Sequence, residues 1–355
     1  MRLEDRLAQI EEPSEKAAQA ARERWNHVAK PLHSLGLLED AIVKIAAVQG
    51  TEEICLEKKA LIIMCADNGI VEEGVSQTGQ EVTAVVTENF TKGDSCVCRM
   101  AKQAGVRVIP VDIGVAGNLE HCGTVYPLRD CKIAYGTRNF YKESAMTKQE
   151  ALAAIETGIR LVAELKKQGC QILAIGERGI GNTTTSSAVA SVLLGVDPAV
   201  LTGRGAGLSD DGLKRKRQVI EEAIQMHKPN WKAPVDVLSK VGGLDLAGLA
   251  GVCLGGAICH IPVVLDGVIT AAAALAATSL CPAVSKYLLA SHVSAEPAGK
   301  MILERLGLTA VIEGNMCLGE GTGAMAFMPM LDMAADIYKN MCTFRDIQIE
   351  EYQEF

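Results

Sequence analysis

Apolar positions along the chain follow two rhythms. Near the start, Leu3, Leu7 and Ile10 recur at helical spacing with charges between them, which predicts an amphipathic helical arm over residues 1–50. Beyond it come short apolar runs that end in turn residues, each followed by a segment of helix length. KALIIMCADNG (59–69) predicts a buried strand and loop, 80–104 a helix, and VRVIPVDIG (106–114) a second strand, together one βαβ unit. Residues 147–168 predict a helix, CQILAIGERGIGN (170–182) a strand entering a glycine-rich loop, and 183–194 a helix of small residues. A helix after Ser209, another over 245–259, the strand-to-loop IPVVLDG (261–267) and a helix over 268–278 continue the alternation. In the tail, Met325, Met328, Leu331, Ala335 and Tyr338 mark a helix within 321–342.

Short apolar strands alternating with helices specify an α/β fold, a mostly parallel sheet with helices on both faces. The expected organisation is an α/β catalytic domain over 51–320, with the arm 1–50 and the segment 321–355 packing together as a small helical domain. Ligands of such sheets sit at the carboxyl ends of the strands. Asp67, Glu177 and Asp266 each follow a predicted strand, so one cleft is expected to collect them.

Composition narrows the function. With 355 residues, 48% hydrophobic, the chain can bury a large core, and a formal charge of −8 excludes a general nucleic-acid binder, which needs clustered Lys and Arg. Residues 246–265 (LAGLAGVCLGGAICHIPVVL) are apolar enough for a membrane span, but Gly255, Gly256, His260 and Pro262 interrupt them, so they read as a buried helix leading into a strand. Twelve cysteines are scattered through the chain, and the charged start MRLEDRLAQIEEP has no apolar signal region. Reduced thiols and a cytoplasmic location are the expectation. No CxxC pair or HExxH spacing offers a zinc site.

Three stretches carry candidate chemistry. GERGIGNTTT (176–185) spaces Gly176 and Gly181 like a phosphate-binding P-loop, with Gly179 between them, but Asn182 stands where a nucleotidase keeps its lysine. What remains is a nest of N–H groups at a helix start with the hydroxyls of Thr183, Thr184 and Thr185, suited to a monophosphate. TGRGAGLSDDGLKRKRQVI (202–220) offers a second cradle at Gly203, Gly205 and Gly207, then a helix capped by Ser209 or Asp210. Its Lys214, Arg215, Lys216 and Arg217 point in four directions, so periodicity does not select which one faces a cleft. LGEGTGA (318–324) holds Glu320 between Gly319 and Gly321 before an apolar run, where burial raises a carboxylate's proton affinity as a general base requires. The competing reading makes Glu320 a cap for the helix that follows.

ADNGIVEEGVSQTGQEVT, GERGIGNTTT, GRGAGL, VGGLDLAGLAG, PVVLDG, SHVSAEP and LGEGTGA, in this order, resemble the nicotinate-nucleotide:dimethylbenzimidazole phosphoribosyltransferase family over roughly residues 30–342. The resemblance implies a Rossmann-like sheet, a homodimer, no metal or other cofactor, and transfer of the phosphoribosyl group from nicotinate mononucleotide to a benzimidazole nitrogen. It implies Glu320 as the base, Glu177 as a second site carboxylate, Lys216 as the phosphate lysine, and Asp266 and Ser294 among the substrate-binding residues. Around the lower-ligand base, Thr78, Val86, Met316 and Leu318 are the expected pocket, with Gly319 and Gly321 leaving room for the base's edge. Where family members have Ser-Pro and a Gln, this chain has Thr78, Gly79 and Val86, which predicts a more apolar pocket open to other bases or a phenol. The alternative is a non-catalytic nucleotide-binding subunit or sensor with the same fold.

Overall fold

The computed structural model describes residues 3–353; residues 1–2 and 354–355, the outer ends of the two expected terminal segments, lie outside the described residues. Six strands form one sheet: β1 (Lys59–Ala66), β2 (Val106–Gly114), β3 (Arg129–Asp130), β4 (Ile172–Arg178), β5 (Val263–Leu265) and β6 (Leu288–Ala290). Their order is β3-β2-β1-β4-β5-β6 and every neighbouring pair is parallel. That is the order of doubly wound nucleotide-binding sheets, and its switch point lies between β1 and β4.

Side chains alternate across each strand, so the sheet divides the core in two. Ile62, Met64 and Ile175 join the cluster that includes residues of helices Lys148–Lys167, Asn182–Leu194, Leu244–Ile258 and Val268–Leu280. Leu61, Ile63 and Ala174 face the other way, onto helices Glu15–His27, Leu37–Gln49, Cys96–Gln103 and Thr322–Asn340. The last helix therefore covers one sheet face as well as meeting the N-terminal helices. The alternation matters for the site. At the carboxyl end of β4, Glu177 points to the first side and Arg178 to the second.

The apolar run that first suggested a membrane span is the buried helix Leu244–Ile258 followed by β5. Its glycines allow two backbones to touch: a Cβ on Gly251 would collide with the carbonyl of Ile155, and one on Gly158 with that of Gly248. Among the described residues no helix is long and apolar enough to cross a membrane. All twelve cysteines are free thiols. The expected single helix over 80–104 is two, Glu81–Lys92 and Cys96–Gln103. Gly93 closes the first in a left-handed conformation (φ 73°), and Ser95 caps the second by accepting from Cys98 N–H at 3.2 Å.

Candidate active site

At the carboxyl ends of β4 and β5 lies a cleft that opens to solvent. It gathers Glu177, Gly179, Gly181, Asn182, Thr183, Gly205, Asp266, Ser294 and Leu318 from the residues expected by sequence. The segment Val75–Gln77 closes one side, and Gln77 Nε2 donates to the carbonyl of Gly207.

The loop after β4 becomes a cradle because Gly181 adopts φ 93°, a conformation open mainly to glycine, and starts helix Asn182–Leu194. Several of its donors are committed: Asn182 N–H to Gly179 O at 3.1 Å, Thr184 N–H to Gly181 O at 2.9 Å, and Ile180 N–H to Thr83 Oγ1 at 3.1 Å. The charge comes from Lys216. Its side chain is fully buried and Nζ donates to Thr183 Oγ1 at 2.8 Å. Burial lowers this ammonium to about 8, against the pull of the Glu296 carboxylate. Of its neighbours, Lys214 is exposed, Arg215 pairs with Glu73 at 2.6 Å and Arg217 donates to Thr202 O, so the structure itself makes the choice that periodicity left open. Ser209 is the cap, accepting from Gly212 N–H.

The second predicted cradle is partly filled by the protein. Gly205 N–H donates to Glu296 Oε1 at 3.0 Å, and a Cβ on Gly203 would collide with the same carboxylate. Gly203 therefore stands behind the cleft wall, with Glu296 between it and the cavity.

The acids of the site are buried beneath the cleft. Glu177 accepts a hydrogen bond from Asn182 Nδ2, and burial, reinforced by the charge of Asp245, pushes its carboxyl up to about 8. Glu320 is buried on a turn with φ 64°, and burial raises its carboxyl above the usual range while Arg178 and the Val97 N–H pull the other way. Arg178 Nη1 lies 3.7 Å from Glu320 Oε1. Asp266 accepts from Gly321 N–H at 3.0 Å, Gly323 N–H at 2.7 Å and Ala324 N–H at 3.3 Å. The start of helix Thr322–Asn340 is thus satisfied by Asp266, which removes the capping reading of Glu320. Among the described residues no three His, Cys, Asp or Glu side chains are placed to share a metal ion. The buried acids are met by the Asn182 side chain, backbone N–H groups and Arg178.

Several expectations need adjustment. Asp67 stays under the loops, accepting from Ala116 N–H at 2.8 Å, and does not line the cleft. Gly319 and Gly321 make room for the protein's own atoms: a Cβ on Gly319 would collide with Glu177 Oε1 and one on Gly321 would press on Leu61 Cδ1. Leu318 borders the cleft and is 52% exposed, whereas Thr78, Val86 and Met316 are not among its lining residues; Val86 packs on the helix-side core instead. Glu320 lies behind Gly319 rather than in the cleft wall. Sequence reasoning missed Arg178, although it sits inside GERGIGN, and it read Asp245 only as part of a helix start. Asp245 is fully buried, and burial pushes its carboxyl up to about 7. The signal available for both was strand alternation after Glu177 and an acid within an otherwise apolar helix.

A family model described as phosphoribosyltransferase matches residues 10–349. The chain is 48% identical over 330 residues, 93% of each chain, to the nicotinate-nucleotide–dimethylbenzimidazole phosphoribosyltransferase of Acetivibrio thermocellus. It is 44% identical over 353 residues, 99% of each chain, to the protein of that name from Ruminiclostridium cellulolyticum. The crystal structure of CobT from Thermus thermophilus superposes with a TM-score of 0.88 at 37% identity, over 94% of this chain and 99% of the other.

Proposed function

This chain belongs to the nicotinate-nucleotide–dimethylbenzimidazole phosphoribosyltransferase family, and on that basis we propose how its own residues move a phosphoribosyl group from nicotinate mononucleotide to dimethylbenzimidazole or a related base. The 5′-phosphate sits at the start of helix Asn182–Leu194, held by Lys216 and Thr183 together with backbone N–H groups of the 179–183 loop. Glu296 already occupies Gly205 N–H, so the phosphate's main charge partner on that side is the Lys216 ammonium rather than a second backbone nest.

The substrate carries a positive pyridinium nitrogen, so nicotinate leaves with the bonding pair and that charge is lost in the transition state. No pyrophosphate departs, in keeping with a loop that has Asn182 in place of a P-loop lysine. Glu177, at the cleft floor, faces the pyridinium ring and the sugar. The incoming base lies against Leu318 and Gly319, and its nitrogen attacks C1′ from the face opposite nicotinate, giving the α-riboside 5′-phosphate. As the bond forms, the second ring nitrogen becomes acidic, and Glu320 accepts its proton. The observation that carries this reading is the Glu320 carboxylate, buried and pushed toward protonation directly behind Leu318 and Gly319, with no helix-capping duty.

The same reading carries a cytoplasmic homodimer that works without a cofactor. It also divides the chain into an α/β domain over 51–320 and a small helical unit from 1–50 and 321–355; Trp25, Ile42, Ile45, Met328, Leu331 and Tyr338 share one apolar cluster, which also takes in Leu61 and Ile63 of the sheet, while Leu3, Leu7 and Ile10 pack against the cluster on the other sheet face. Incubating the purified protein with nicotinate mononucleotide and dimethylbenzimidazole, and following nicotinate release together with the riboside phosphate, tests the proposal. Nucleotide binding without either product would support the rival reading, a binding subunit.

A further inference from the structure

Beneath the cleft floor, Glu177 and Asp245 form a buried acid pair joined by one amide. The Asn182 amide donates to Glu177 Oε2 and lies near enough to Asp245 to favour its charged form. The two acids differ in surroundings. Asp245 lies in the first turn of helix Leu244–Ile258, where Oδ1 accepts from Leu246 N–H at 2.9 Å, and a helix N-terminus favours negative charge. Its Oδ2 has no hydrogen-bond partner among the described residues and lies 2.9 Å from the place of a Cβ on Gly179, directly under the loop that makes the cleft floor. Glu177 accepts instead from the side-chain amide of Asn182.

The groups facing the pair come from three strand ends. From the end of β1 comes Asp67, a further carboxylate, with Lys132 and Asp112 beyond it at 2.9 Å from each other. Arg178, next on β4, turns toward Glu320 on the opposite sheet face. Asp266, after β5, is occupied with the helix start at 321–324 and with His292. The pair therefore has carboxylates on two sides, and the cation that acts on Glu177, Arg178, is shared with Glu320.

We infer that Asp245 is a positioning residue for the reaction: as the standing anion at its helix start it keeps a proton on Glu177 while the cleft is empty, and the entry of the cationic nucleotide drives that proton off. Binding and proton release are then one event, and the site presents a carboxylate to the pyridinium only when the pyridinium is there to neutralise it. The inference rests on the phosphoribosyltransferase reading, because it needs a cationic ligand over Glu177. Burial raises both carboxyls, and the charge of Asp245 raises Glu177 further.

Titration calorimetry of the full-length protein with nicotinate mononucleotide near pH 7.5, in two buffers of different ionisation enthalpy, measures the protons exchanged. The wild type is expected to release a substantial fraction of one proton per nucleotide bound. Asp245→Asn, which keeps the shape and removes the charge, should release much less, and its kcat/KM for the nucleotide should begin to rise about one pH unit earlier than in the wild type, the usual scale of a like-charge neighbour. A purely structural Asp245 would lower the melting temperature and leave both the proton count and the pH profile in place, which overturns the inference. So does nucleotide binding to the wild type without proton release, a result that decides the matter even if the variant fails to fold. Absence of any nucleotide binding and of nicotinate release would instead bring down the functional reading, and this inference with it.

Discussion

The Lys216 ammonium donates to Thr183 Oγ1 at 2.8 Å and ties helix Asp210–His227 to the start of helix Asn182–Leu194. A fully buried lysine hydrogen-bonded to a hydroxyl has exchanged hydration for a neutral partner. The Glu296 carboxylate nearby is hydrogen-bonded to Gly205 N–H, and a phosphate arriving there supplies a direct counter-charge. Charge-assisted contacts of this kind contribute roughly 1.5 to 3 kcal/mol, or about 10- to 150-fold in affinity. Lys216→Ala is expected to raise the KM for nicotinate mononucleotide, or lower kcat/KM, by about that factor; unchanged steady-state kinetics would refute the role.

The same residue predicts a basic limb. In the empty site the ammonium titrates at about 8, so above that pH the phosphate meets a neutral amine. The KM for the nucleotide should climb from pH 8 upward in the wild type and stay flat in Lys216→Met. Parallel profiles for the two proteins would assign the limb to another group.

Stability should run against the common acid-denaturation trend in one window. The carboxyls of Glu177 and Asp245 ionise at about 8 and about 7 when folded, above their unfolded values near 4.5 and 3.8. Between those limits the folded state binds more protons than the unfolded state, so the contribution of the pair is full below about pH 4 and is lost as pH rises toward 8. Melting temperatures of the wild type measured from pH 5 to 8.5 should fall more steeply than those of Glu177→Gln, and identical slopes would count against the assignment.

The lower-ligand pocket should discriminate weakly. Leu318, half exposed at the cleft edge, is the apolar contact expected for the base, and an apolar surface separates substrates that differ by one methyl by only about 1 to 3 kcal/mol. Competition among dimethylbenzimidazole, benzimidazole and a methylphenol should give ratios within about two orders of magnitude, and Leu318→Ala should raise the KM of the base without touching that of the nucleotide. A preference far beyond that range would point to a polar reader instead.

Much of this was legible in the chain because local signals and the fold agreed. The strands announced themselves as apolar runs ending in turn residues, and Gly181 and Ser209 marked helix starts that the structure keeps. Other features depend on distant partners. Lys216 was indistinguishable from Lys214, Arg215 and Arg217 until helix Asp210–His227 packed, because four consecutive helical positions face four ways. The glycines flanking Glu320 looked like space for a ligand, yet their missing Cβ atoms are required by Glu177 and Leu61, residues more than a hundred positions away. Asp245 was hidden in a run of apolar residues whose burial, once the helix folded, became the source of its raised proton affinity.

The mechanism turns on Glu320 taking the proton of the incoming base. Glu320→Gln isolates that role, because the amide has nearly the shape of the acid and the helix start is held by Asp266. Single-turnover nicotinate release and melting temperature are to be measured on the same sample. Proton transfer to Glu320 requires an intact melting transition, near-normal nucleotide binding and turnover reduced roughly 10²- to 10⁴-fold, the usual contribution of a general base. Near-normal turnover in the folded variant would remove Glu320 from the reaction.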